Sequence, residues 1–289
     1  AMMPLSPIIK KETEARSRSL SFPMMIIGLN TLLFIVSLLG SFGIVNGMEQ
    51  SSEAMYGRFL RIYELTAFCE YILILLITPL FTASSISGER ETGTLDLLMT
   101  TYLTPANIII EKITAAFLSI SAAVMSGLPA LLIPLMFGGV SIAGVIGLLV
   151  SFLPGVFLVL AVSIFASTAC RSVTKSIAVS YAALIMMTAG FLVLPVFTRI
   201  FSSPGENRFA YILALDPLLP AASMLFSQAG EARNIRLLFD FLKFDPDTAF
   251  LNHAALISII LQIAEGVGFA ILAVINITPS RSGSKRILF

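Results

Sequence analysis

Six stretches of this chain are each long and apolar enough to cross a bilayer, and they restrict the fold more than any other feature. They lie at about 21–45, 59–83, 107–137, 142–169, 175–198 and 251–277. A helix needs about 20 apolar residues to traverse a hydrocarbon core about 30 Å thick. Charged residues make up 12% of the chain, about half the roughly 25% usual in soluble domains. The expected fold is therefore an all-α membrane protein with six transmembrane helices. The first stretch is too long for a signal h-region and follows an extended charged leader, so it reads as a retained span. The net charge of +1 gives no reason to expect a nucleic-acid partner.

The distribution of basic residues sets the direction of the spans. Lys10, Lys11, Arg16 and Arg18 precede the first, Arg171 and Lys175 follow the fourth, and Arg281, Lys285 and Arg286 follow the sixth. These sets fall at alternate loops, which predicts two cytosolic termini and a cytosolic loop between the second and third spans. The expected location is the cell's inner (plasma) membrane. The leader at 4–20 reads either as an interfacial helix on the inner leaflet or as a solvated tail. Segment 199–250 is expected outside, and 278–289 forms a cytosolic tail. Within the outer segment Phe209–Leu215 is apolar and ends at Asp216–Pro217, while Ile235, Leu238, Phe239 and Leu242 recur at helical spacing. Two or three short helices are expected there, lying on the outer leaflet or dipping into it.

The polar island between the second and third spans carries the most specific signal. From Pro79 to Lys112 the chain reads PLFTASSISGERETGTLDLLMTTYLTPANIIIEK. Gly88, Glu89, Arg90, Glu91, Gly93, Thr94, Leu95, Asp96 and Leu98 form a compact charged and glycine-punctuated run in a chain otherwise poor in charge. A short helix over Gly88–Leu98 is expected, with Glu89 and Glu91 in its first turn, where the helix dipole favours anions. Leu95, Leu97 and Leu98 would give it an apolar side.

This run resembles the cytoplasmic coupling segment of permease subunits in the ABC-2 family of ATP-driven exporters. Glu89, Glu91, Gly93, Thr94, Leu95, Asp96 and Leu98 match the family's acidic pair, Gly-Thr-Leu, acidic residue and leucine. Pro7, Lys11 and Glu12 ahead of the first span are similar to the family's elbow helix, and external helices between the fifth and sixth spans also fit. Glu111 departs from the small residue that many members have before the lysine. The resemblance implies one permease domain over 1–289 and a separate ABC ATPase subunit that holds ATP and Mg. It also implies a second permease protomer, in a homodimer or heterodimer, embedded in membrane lipid. Glu89, Glu91 and Asp96 would form the coupling contact, with Gly93 allowing a turn or a close approach. The cargo would be hydrophobic or amphiphilic: a drug, a lipid-like molecule or a peptide.

Two acidic residues fall at membrane depth, Glu70 in the second span and Glu265 in the sixth. An ionised group at the bilayer centre costs about 3 kcal/mol on insertion scales, so each is expected to face protein or water. They read either as a translocation path or an ion site, or as glutamates hydrogen-bonded between helices, with Gly266 and Gly268 allowing helices close to Glu265. An ion-coupled secondary transporter using Glu70 and Glu265 is thus an alternative function. A membrane anchor or sensor for an ATPase is another.

Enzyme chemistry lacks its residues. His253 is the lone histidine, and no H-E-x-x-H, G-x-S-x-G or phosphate-loop motif is present. No catalytic or metal site and no cofactor on this chain are expected. Cys69 and Cys170 fall at different depths and read as packing residues rather than a disulfide.

Overall fold

The computed structural model describes residues 20–46, 52–95, 104–136, 141–198, 200–201, 208–228 and 248–278. Within them lie α1 (Ser21–Asn46), α2 (Ser52–Thr82), α3 (Ser87–Glu91), α4 (Pro105–Ser126), α5 (Leu128–Leu135) and α6 (Ile142–Ala169). There follow α7 (Val173–Ile185), a π-helical turn at Met186–Gly190, α8 (Phe191–Thr198), a 3₁₀ segment at Arg208–Leu215, α9 (Leu219–Gln228) and α10 (Thr248–Ile277). Among the described residues six helical stretches are long and apolar enough to span a membrane, and they coincide with the six expected from sequence. The leader up to residue 19, the pattern at Ile235–Leu242, Asp96, Leu98 and the tail from 279 lie outside the described residues.

The third span departs from the single helix expected over 107–137. It breaks at Gly127, whose N–H turns back to Val124 and Met125 while its carbonyl takes the N–H groups of Ala130 and Leu131. Pro129 has no N–H to offer the carbonyl four residues back, so the ladder cannot run through. The fifth span carries its irregularity as the π turn at Met186–Gly190, one turn before Pro195.

The fourth span is the hub. It packs against the second, third, fifth and sixth, and 67% of its most apolar stretch is buried, against 11% for the fifth. The main core joins Leu33, Tyr63, Tyr71, Ile120, Leu148, Phe152 and Val156, with Tyr71 stacked on Phe152 at 4.4 Å between ring centroids. A smaller cluster of Ile86, Leu95, Ile109, Ile164 and Ala273 sits beneath the island. The polar run therefore rests on packed helix ends.

Candidate functional site

The island begins where α2 ends, and polar side chains fix that transition. Thr78 and Thr82 return their hydroxyls to carbonyls four residues back, at Ile74 and Thr78. Ser176 on the fifth span donates to the Ala83 carbonyl at 2.6 Å. Ser167, buried near the end of the fourth span, accepts the N–H groups of both Ile86 and Ser87 at 2.9 Å. These donors would otherwise be orphaned at the start of α3. One hydroxyl thus serves in place of the missing side-chain cap.

The helix that follows is shorter than the Gly88–Leu98 helix expected. It covers Ser87–Glu91 and stops because Gly93 takes a positive φ of 72°, the left-handed conformation that commonly ends a helix and that glycine adopts without strain. The Thr92 N–H reaches the Gly88 carbonyl, and the Gly93 N–H reaches that of Arg90. The hydroxyls of Thr92 and Thr94 lie 3.0 Å apart, and each is 3.3 Å from the Glu89 carbonyl, so the two share their protons among these contacts. Leu95 then folds back into the smaller core. Glu91, Thr92, Gly93 and Thr94 form the exposed tip of the island.

The charged residues hold the bundle. Glu89 Oε1 pairs with Lys112 Nζ at 2.9 Å, and the same ammonium donates to the Ser85 carbonyl at 3.1 Å. The Lys112 side chain is only 3% exposed, so this ion pair ties the island to the third span. Arg90 donates to the carbonyls of Cys170 at 2.7 Å and Thr168 at 3.1 Å, which lie at the end of the fourth span, where carbonyls lack helical partners. Glu91 Oε1 accepts the N–H of Val173 at 2.9 Å, the first residue of the fifth span. Consecutive residues thus grip the two sides of one turn. Burial raises the pKa of the Cys170 thiol, with Lys175 and Arg90 pulling the other way. Neither cysteine is in a disulfide.

The membrane-depth acids are placed differently. Glu70 is completely buried, and neither carboxyl oxygen has a hydrogen-bond partner. Its carboxyl fills the space left by the absent side chain of Gly127, so it stands at the break in the third span. Glu265 is partly buried, and its Oε2 likewise lacks a partner. Beside it, Gly266 packs on the fourth span, where a Cβ would come within 2.6 Å of Phe157; a Cβ on Gly268 would meet nothing. The two acids therefore stand at different seams. No cluster of three or more metal-ligating side chains occurs among the described residues.

Compared with known families, residues 56–275 match the family model of the ABC-2 family transporter protein. The chain belongs to the ABC-2 transporter family. No curated protein matches it. With six apolar helices in addition, it is a multi-pass membrane permease of ABC transporters. Such a permease is a transport component rather than an ATPase, and it associates with an ABC ATPase subunit.

Several residues that shape this ABC-2 permease were not apparent from sequence. Ser167 and Ser176 are hydroxyls at span ends, and only the fold brings them to the island. A second group organises the segment between the fifth and sixth spans. Tyr71 donates to the Pro217 carbonyl at 2.7 Å, and Gln262 Nε2 to the Asp216 carbonyl at 3.1 Å. Asp216 caps its own turn by accepting the Leu218 N–H at 2.8 Å. Tyr63 contacts Gln228 at 2.9 Å, and Gln228 reaches the Gly144 carbonyl at 2.7 Å. Asp216–Pro217 thus lies beside the middles of the second and sixth spans, and span side chains satisfy its irregular backbone, as that depth requires.

Proposed function

We propose that this ABC-2 permease is the membrane subunit of an ATP-driven exporter, driven by a separate ATPase that engages the island. On this reading the island and both termini are cytosolic, and two protomers, identical or related, enclose the cargo path. ATP and Mg are bound and consumed on the ATPase. Closure of the ATPases pushes on the segment 88–98, the spans tilt, and the path opens outward to a hydrophobic or amphiphilic cargo.

The observation that carries the reading is the attachment of the island. A floppy loop would bend under a push. Here Glu89, Arg90 and Glu91 bind the ends of the third, fourth and fifth spans, while Thr92–Thr94 is presented outward. A photo-crosslinking residue at Thr94, followed by purification from native membranes and mass spectrometry, tests it. A stoichiometric protein bearing a phosphate loop is expected. Recovery of the chain with no such protein overturns the exporter reading.

A second reading, ion-coupled secondary transport, draws on the buried and unpartnered carboxyl of Glu70. It requires transport that survives ATP depletion and fails in Glu70→Gln. Flux abolished by ATP depletion, with Glu70→Gln unimpaired, removes it.

A further inference from the structure

Glu89, Arg90 and Glu91 invite assignment as contacts for the ATPase, yet each makes hydrogen bonds to the permease itself, Glu91 through Oε1 while the residue stays exposed. Arg90 and Glu91 are adjacent in sequence and bind opposite sides of the turn at residues 170–173. Arg90 holds two carbonyls where the fourth span ends, and Glu91 holds the first N–H of the fifth. The charge signs suit their positions, since a cation is favoured at a helix C-terminus and an anion at an N-terminus.

We propose that Arg90 and Glu91 form a transmission clamp that makes the turn between the fourth and fifth spans move with the coupling segment. They are positioning residues and do not contact the ATPase. The covalent chain carries a push from the island only into the second span and, through residues outside the described set, the third. Without the clamp the fourth span, the hub of the bundle, would be joined to the island only by packing and by the Ser167 hydroxyl at the head of α3, with nothing from the island holding its C-terminal end. With it, three hydrogen bonds deliver the displacement directly to the fourth and fifth spans. The ion pair between Glu89 and Lys112 makes a parallel connection to the third.

This inference rests on the exporter reading, and the experiment separates their failures. Glutamine at position 91 keeps a carbonyl oxygen able to accept the Val173 N–H but loses the charge; leucine loses both. The permease and its co-purified ATPase, reconstituted in nanodiscs, are assayed for permease-dependent stimulation of ATP hydrolysis and for ATPase stoichiometry. The permease alone is examined by amide hydrogen exchange across 170–176. Glu91→Leu is expected to accelerate exchange at Val173 and to cut stimulation, each about tenfold for one lost charge-assisted bond, with the ATPase still bound. Glu91→Gln is expected within about twofold of wild type in both.

Equal damage from glutamine and leucine with loss of the ATPase would make Glu91 an ionic contact for the partner and overturn the clamp. Faster exchange with undiminished stimulation would overturn transmission. Should the leucine variant fail to insert, Arg90→Lys, which keeps one of the two carbonyl bonds, is expected to lie between wild type and Arg90→Met; equivalence of all three overturns the clamp. A wild-type permease that recovers no ATPase sinks the exporter reading instead.

Discussion

Glu89 and Glu91 at the island and Glu70 in the second span are the same chemical group in opposite circumstances. Glu89 and Glu91 each have one oxygen 2.9 Å from a charged or N–H partner, whereas neither oxygen of the more deeply buried Glu70 has one. The reason lies in where helices end. Along an unbroken span N–H groups are already given to carbonyls one turn back, and at the break beside Glu70 those of Gly127, Ala130 and Leu131 are likewise taken by backbone carbonyls, so the carboxyl must find its donors elsewhere. At span ends the first N–H groups and last carbonyls are free, and the motif's charges take those of the fourth and fifth spans. The same chemistry is a fastener at one level and an isolated group at the other.

Breaking the fastener should cost most at Ser167. Its hydroxyl accepts two buried N–H groups, and Ser167→Ala leaves both orphaned, at about 1–3 kcal/mol each before relaxation. A loss of about 2–4 kcal/mol is expected by SDS-titrated unfolding in mixed micelles. A loss below about 0.5 kcal/mol would mean that the island does not depend on the fourth span.

The ion pair comes next. Removing one partner of a wholly buried pair costs roughly 3–5 kcal/mol. Glu89 remains 31% exposed and Lys112 keeps the Ser85 carbonyl, so Glu89→Leu should cost about 2–3 kcal/mol. Exchanging the charges, Glu89→Lys with Lys112→Glu, should recover more than half of the loss that Glu89→Lys causes alone. Absence of recovery would show that the two side chains do not act on one another.

What sequence could reveal follows the same division. The six spans were legible because hydrocarbon admits few alternatives to long apolar helices, and their ends fell within a few residues except at the second span, which begins at Ser52. Pro129 and Pro134 lie in the third span and oppose a continuous ladder, but the break itself is at Gly127. Nothing local announces the π turn at Met186–Gly190. At the island, composition located the charges, but the expected helix ran through Gly93 to Leu98 whereas the structure ends it at Glu91, and the orientation was hidden. The partners of Ile86, Arg90 and Glu91 lie about 80 residues away in sequence, and a charge cluster does not say which surface it faces. Glu70 was recognisable as an acid that must face protein or water; its lack of any donor is a property of packing alone.

In the span interior, steric fit should dominate. A methyl at Gly127 would overlap the Glu70 carboxyl, which is enclosed on all sides and cannot swing into solvent. Overpacking typically costs about 1–3 kcal/mol, and Gly127→Ala should fall in that range. Glu70→Ala in the same chain should remove most of that increment, because the clash depends on the carboxyl. An increment unchanged in the double variant would place its origin in the backbone of the break.

The smallest effect should come from the hydroxyl of Tyr71, which sits at the same depth as Glu70 but has found a partner in the Pro217 carbonyl. Tyr71→Phe leaves that carbonyl without its donor and should cost about 1 kcal/mol. The phenol oxygen also occupies the space beside Gly155, where a methyl would overlap it, so Gly155→Ala should cost about 1–3 kcal/mol in wild type. In Tyr71→Phe the nearest remaining ring atom, Cζ, is 3.1 Å from that methyl position, a contact that a small shift relieves. Most of the alanine penalty should then disappear, giving a coupling energy of about 1 kcal/mol or more between the two sites. Additive penalties would mean that the hydroxyl does not stand between the second and fourth spans. The bond that carries Asp216–Pro217 to the middle of the bundle would then have to be made from another side of the ring.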